Sequence, residues 1–286
     1  MSKKKRSFPA IPAALFSMMS VQGGGAIAKS LFPHIGASGT ATLRIGISSI
    51  ILFLINRPKI SSLTSKQWAY SFGYGACLGL MNLSFYLAIE RIPLGLGVTI
   101  EFLGPLALAL ILSRRFLDVV WALLACGGIL LIAPWQSDGI DIIGIVFGLG
   151  AGLFWAFYII LGGKISKIMK TGDGVTIGMA FATLLILPFG IIGGGLAALN
   201  WKLLATGTGV ALFSSAIPYS LDLVALNKLP AKTFSILMSL QPAFAALSGL
   251  IFLSEMLELN QWLSIVCVIT ASIGATLTAY VNKKTM

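Results

Sequence analysis

Charged residues make up only 10% of these 286 residues, and acidic side chains number 9 against 20 Lys and Arg. With 57% of the chain hydrophobic, so little charge cannot cover a soluble globule of this size, and apolar surface has to face lipid. Histidine occurs once, at His34, and cysteine three times, at Cys77, Cys126 and Cys267, each inside an apolar run. Such scattered thiols form neither a disulfide framework nor a Cys/His metal centre. No nucleophile–base pair stands out. The glycine runs 23–25 and 193–195 lack the strand–turn–helix setting of a phosphate loop. Enzymes and ATP-driven pumps are therefore disfavoured, and neither cofactor nor metal is implied.

What fills the chain is ten apolar stretches with short connectors. Runs of roughly 20 residues predict spans near 8–28, 36–56, 67–89, 93–113, 117–134, 140–163, 173–193, 202–226, 230–253 and 259–281. They are apolar on every face, which argues for helices and against a barrel of alternating strands. The expected fold is an all-α polytopic membrane protein. The first run follows a basic tail as a signal peptide would, yet it holds Gln22 and a triple glycine and offers no small-x-small cleavage site, so it reads as a retained span.

The cations set the direction. Lys3, Lys4, Lys5, Arg6, Arg57, Lys59, Lys66, Arg114, Arg115, Lys164, Lys167, Lys170, Lys228, Lys232, Lys283 and Lys284 all fall on one side of the ten-span layout. Asp138, Asp141, Glu255 and Glu258 mark the other. The positive-inside rule then puts both termini in the cytoplasm. The net charge of +11 is a topology signal; spread among short loops, it does not suit nucleic-acid binding.

Two segments align without a gap at an offset of 137 residues: Phe85-Tyr86-Leu87-Ala88-Ile89-Glu90-Arg91-Ile92-Pro93 and Asp222-Leu223-Val224-Ala225-Leu226-Asn227-Lys228-Leu229-Pro230. The register carries Pro105 onto Pro242. The spacing predicts two five-helix repeats, over 8–135 and 139–281. Five is odd, so the second repeat sits upside down relative to the first. Inverted repeats enclosing a midplane site are an architecture of secondary transporters.

A charge at the centre of a membrane helix costs about 2.5–3.5 kcal/mol on insertion scales, so the polar residues within the spans are the candidate site. Arg44, Glu101 and Asp222 are charged, Lys29 closes the first span, and Gln22, Asn82 and Gln241 also need partners. Pro105 cannot donate to the carbonyl of Glu101, which leaves a free acceptor beside the carboxylate. That pair suits a proton or an ammonium group. The alternative is an Arg44–Glu101 ion pair that locks two helices together. Pro218 and Pro242 free the carbonyls of Ser214 and Met238 in the same way, or mark tolerated kinks. Gly144, Gly148 and Gly152 form a packing ridge. Trp155 and Tyr158 are cavity-wall candidates or ordinary packing. Trp68, Trp201 and Trp262 sit at span starts as interfacial anchors.

These residues resemble a known family. Val21-Gln22-Gly23-Gly24, Ala28-Lys29-Ser30-Leu31-Phe32-Pro33, Ala41-Thr42-Leu43-Arg44, Met81-Asn82, Phe85-Tyr86-Leu87, Glu101-Phe102, Gly104-Pro105-Leu106, Trp155-Ala156, Tyr158-Ile159 and Pro218-Tyr219-Ser220-Leu221 are similar, in order and spacing, to the EamA branch of the drug/metabolite transporter superfamily, and within it to threonine/homoserine exporters. Tyr86 and Tyr219 join the candidate set through these motifs. Asp222 departs from the pattern, where Glu is expected. The resemblance implies an inner-membrane exporter of small amino acids working by proton antiport. Arg44 or Lys29 would meet the substrate carboxylate, Glu101 would meet its ammonium and carry the coupling proton, and Asp222 is the reserve coupling carboxylate. Partners are then a small amino acid, protons and the lipid bilayer, with self-association left open. Export of another metabolite or drug-like solute is the nearest alternative, and an uncoupled channel or a sensor is the alternative from a different class.

Overall fold

The computed structural model describes residues 9–29, 31–92, 94–112, 116–132 and 141–238, with short pieces between 240 and 274. The described chain is helical: α1 (Ala10–Lys29), α2 (Phe32–Asn56), α3 (Ser65–Arg91), α4 (Leu94–Ile111), α5 (Phe116–Ile132), α6 (Ile142–Ile168), α7 (Thr171–Ile192), α8 (Trp201–Ala211), α9 (Ile217–Lys228) and α10 (Ala231–Met238). Among the described residues, five stretches are long and apolar enough to cross a membrane: Phe32–Asn56, Ser65–Arg91, Ile142–Ile168, Thr171–Ile192 and Trp201–Lys228. Most of the run expected at 259–281, and the end of that at 230–253, lies outside the described residues.

Helix ends fall where local chemistry puts them. Thr64 and Gln67 form a reciprocal capping box at the start of α3. Asp141 and Asn200 accept the first free amides of α6 and α8. Inside α2, Gly36 takes φ 67°, ψ 173°, which breaks the helix after its first turn. Glu90 from α3 accepts a hydrogen bond from the amide of Ala37, which that break frees from the helix ladder, at 3.4 Å.

The eighth apolar run is not one regular helix. Leu212–Ala216 winds as a π turn between α8 and α9. Pro218 has no N–H for the carbonyl of Ser214, and the ladder is rewound at that point. A sequence pattern of apolar residues carries no mark of this.

The helices pack chiefly as α3 against α6 and α7, α2 against α7, α4 against α6, and α1 against α9. Small residues permit the closest crossings. A Cβ on Gly104 of α4 would lie 1.8 Å from the Gly152 carbonyl of α6. The expected Gly144–Gly148–Gly152 ridge is indeed a packing face, meeting Ile92, Ile100 and Glu101 in turn. Leu54, Ile55, Leu184 and Ile192 point outward and exposed, as lipid-facing side chains do. Trp68, Trp201 and Trp262 are exposed as well.

Candidate functional site

Five aromatic rings pack beside a buried polar cluster. Tyr158 of α6 stacks on Tyr74 of α3 (5.1 Å) and meets Tyr219 of α9 edge-on (5.8 Å), while Trp155 packs against Phe102 (5.9 Å), next to Glu101. Trp155 and Tyr158 share one face of α6 by their i, i+3 spacing, and the tertiary fold brings Tyr219 against Tyr158.

Arg44 lies 5% exposed on α2. Its guanidinium is 4.8 Å above the ring of Tyr86 and donates to Ser214 Oγ at 3.4 Å. The Nε of Arg44 and the hydroxyl of Tyr86 are buried without a hydrogen-bond partner among the described residues. Orphaned donors of this kind are costly unless a ligand or water meets them. Arg44 and Glu101 make no ion pair within 4.0 Å. The guanidinium is held instead by an aromatic face and a hydroxyl, which leaves it available as a cation.

Glu101 is half-buried rather than sealed, and no described side chain hydrogen-bonds its carboxylate. Its carbonyl, expected to be free beside the carboxylate, is covered. A Cβ on Gly152 would lie 2.5 Å from that oxygen, so the backbone of α6 occupies the space a ligand would need. Pro105 has bought a close helix crossing there, not a ligand acceptor.

Asn82 donates to Tyr219 Oη at 2.7 Å and to the Leu78 carbonyl at 2.8 Å, and Tyr219 Oη lies 2.9 Å from Asn82 Oδ1. Asp222 is 6% exposed and accepts from Ser17 of α1 (2.6 Å) and from Tyr158 (3.1 Å). Gln22 donates to Gln241 at 2.5 Å, tying α1 to the segment after α10. Lys29 ends α1, and its side chain lies outside the described residues, as does Pro242.

The geometry thus gathers Arg44, Asn82, Tyr86, Glu101, Trp155, Tyr158, Tyr219 and Asp222 from five helices. Sequence reasoning missed Ser17 and Ser214. A polar Ser17–Ser20 pair at helical spacing in an apolar run was the available signal for Ser17, and Ser20 in turn donates to the Phe213 carbonyl at the π turn. An outward crevice of about 480 Å³ between α2 and α7 has an almost wholly apolar lining, including Leu43, Ile47, Leu184 and Leu187, and no charged side chain to hold a zwitterion.

Comparison with known proteins follows this geometry. The profile of the EamA-like transporter family matches residues 142–277. The threonine/homoserine exporter RhtA of Escherichia coli K12 is 42% identical over 272 residues, covering 94% of this chain and 92% of its own. That of Salmonella typhimurium LT2 is 41% identical over 266 residues, covering 92% and 90%. A solved crystal structure with 14% identity superposes with a TM-score of 0.74 over 95% of this chain and 99% of its own, a likeness of fold. With such identity sustained along nearly the whole length of curated relatives, and the apolar helices described above, this chain belongs to the EamA-like transporter family.

Proposed function

We propose that the protein is a secondary exporter of small polar amino acids of the threonine/homoserine type, seated in the inner membrane with both termini cytoplasmic. The observation that carries this reading is its 42% identity over 94% of the chain to exporters named for those substrates. The site supports it. A zwitterion presents one carboxylate and one ammonium, and the cluster offers one available cation, Arg44, and one half-buried carboxyl, Glu101. Each is free of the other, so neither has to be broken away from a partner before substrate binds. Tyr86, whose ring supports Arg44, adds an unused hydroxyl on the carboxylate side.

Ten spans in two inverted repeats, over 8–135 and 139–281, complete the proposal. The match of the family profile to 142–277 agrees with a second repeat of that extent. Reciprocal packing supports the inversion, since α3 lies on α6 while its counterpart, α8–α9, lies on α1. Such halves rock about a central site to give alternating access. Export is driven by proton antiport.

The test is uptake of labelled threonine, homoserine and a panel of other amino acids into inside-out vesicles, with and without an acidic interior. Saturable threonine uptake that the gradient enhances supports the proposal. Uptake that never saturates would identify a channel, and transport confined to other solutes would remove the substrate assignment.

A further inference from the structure

Asp222 is sealed where Glu101 is not, and its surroundings count protons. Ser17 Oγ has one hydrogen but faces two acceptors, Asp222 Oδ1 at 2.6 Å and the Pro218 carbonyl at 3.1 Å. Tyr158 Oη spends its hydrogen on Asp222 Oδ2 at 3.1 Å. If Asp222 is ionised, the Ser17 hydrogen serves one acceptor or is split between two, and one oxygen–oxygen contact is left underpaired. If Asp222 carries a proton, all three contacts close. Asp222 Oδ1–H donates to Ser17 Oγ, Ser17 donates to the Pro218 carbonyl, and Tyr158 donates to Oδ2.

The charge count agrees. The groups facing Asp222 are Ser17 from α1, Tyr158 from α6, Tyr74 from α3 and Tyr219 on its own helix, and among the described residues no cation lies within 4.0 Å of it. A carboxylate ionised there would be a membrane-buried charge with two hydroxyl donors and no counter-ion.

Building on the exporter reading, we propose that Asp222 is held protonated in this conformation and is the group that carries the coupling proton, with Ser17 and Tyr158 as its positioning residues. Glu101 then serves the substrate ammonium. The three side chains come from α1, α9 and α6, so losing the proton loosens a contact between the first and second halves of the chain. Ser20 on the Phe213 carbonyl and Gly24 packed on Ser214 extend that same α1 seam along the π turn. The device couples proton release to movement of α1 away from α9. A proton taken up from the acidic side closes the seam, and its release on the other side opens it.

Asp222→Asn is the sharp probe, because an amide reproduces the protonated pattern: its NH2 donates to Ser17 and its oxygen accepts from Tyr158. The purified full chain should show the infrared carbonyl band of a protonated carboxyl at neutral pH. To separate the two carboxyls, the band is recorded in Glu101→Gln, where it should persist, and in Glu101→Gln/Asp222→Asn, where it should vanish. In inside-out vesicles a gradient of one pH unit should let the wild type concentrate threonine up to about tenfold per proton exchanged. Asp222→Asn, whose amide keeps the seam closed at every pH, should hold that ratio near unity while still binding labelled threonine. Tyr158→Phe should shift the pH at which accumulation is half-maximal, which a merely structural role would not do.

Absence of the band in Glu101→Gln, or gradient-driven accumulation by Asp222→Asn at the wild-type ratio, overturns the proposal. The infrared arm needs no substrate, so it also separates failure here from failure of the exporter reading, which would appear as no threonine exchange in the wild type.

Discussion

Asn82 and Tyr219 hydrogen-bond to each other through both atoms of the amide, and they are 137 residues apart, the same offset that aligns the two halves of the sequence. A residue that touches its own counterpart lies on the axis relating two repeats. Gly46 and Thr183, separated by the same offset, also adjoin, since a Cβ on Gly46 would lie 3.5 Å from Thr183 Cγ2. Under the inverted-repeat reading the axis runs through both contacts, and Asn82–Tyr219 is where the halves are pinned.

Removing one side of that pin should cost more than removing both. Tyr219→Phe leaves a buried amide short of a partner, at about 1–3 kcal/mol, whereas Asn82→Leu combined with Tyr219→Phe should recover much of the loss. Thermal unfolding in detergent, arranged as a double-mutant cycle, measures the coupling. Strict additivity would show that the pair contributes nothing of its own.

Arg44→Lys keeps the charge but loses the planar fork and its stacking on Tyr86. A charge-assisted hydrogen bond is worth about 1.5–3 kcal/mol, so threonine affinity should fall about ten- to a hundredfold. Equilibrium binding to the purified protein reads this directly. Unchanged affinity in Arg44→Lys would place the carboxylate elsewhere.

Gly104→Ala should damage the fold before it damages chemistry. The added methyl meets backbone at 1.8 Å, and backbone cannot rotate aside. Overpacking of this kind costs about 1–3 kcal/mol or more. A lowered melting temperature and a reduced yield of folded protein are expected, in contrast to Gly127→Ala, where a Cβ meets nothing within 4 Å.

Asp141 lies outside the membrane-spanning part, where Arg91 reaches it at 3.0 Å and the first amides of α6 point at it. The Arg91 hydrogen bond, followed by the Ile143 amide, holds its carboxyl below the ordinary value of 3.8. A depressed carboxyl stabilises the fold fully above its ordinary value and loses that contribution as pH falls through the lowered one. The melting-temperature gap between wild type and Asp141→Asn should therefore be small at neutral pH and close in acid. High salt should narrow it too, because the pair is exposed. A gap that widens in acid would contradict this.

Orientation has its own check. A reporter active only in the periplasm, fused after residue 286, should stay silent if both termini are cytoplasmic. A strong signal would overturn the ten-span layout.

Composition and patterning were enough to determine that this chain is a helical membrane protein, where most of its described helices run, and that Arg44, Glu101 and Asp222 lie within apolar helices. Helix length and hydrophobicity are local properties, and the insertion cost of a charge follows from its own position. Arg44, Glu101 and Asp222 were legible for that reason. Tertiary structure alone decided what each of them meets. Asp222 finds Ser17 across 205 residues, Arg44 takes Tyr86 and Ser214 in preference to Glu101, and the carbonyl that Pro105 frees is closed off by Gly152. Those choices depend on which helix faces cross and how closely. Small residues and a π turn set that distance, and a row of apolar letters does not record it.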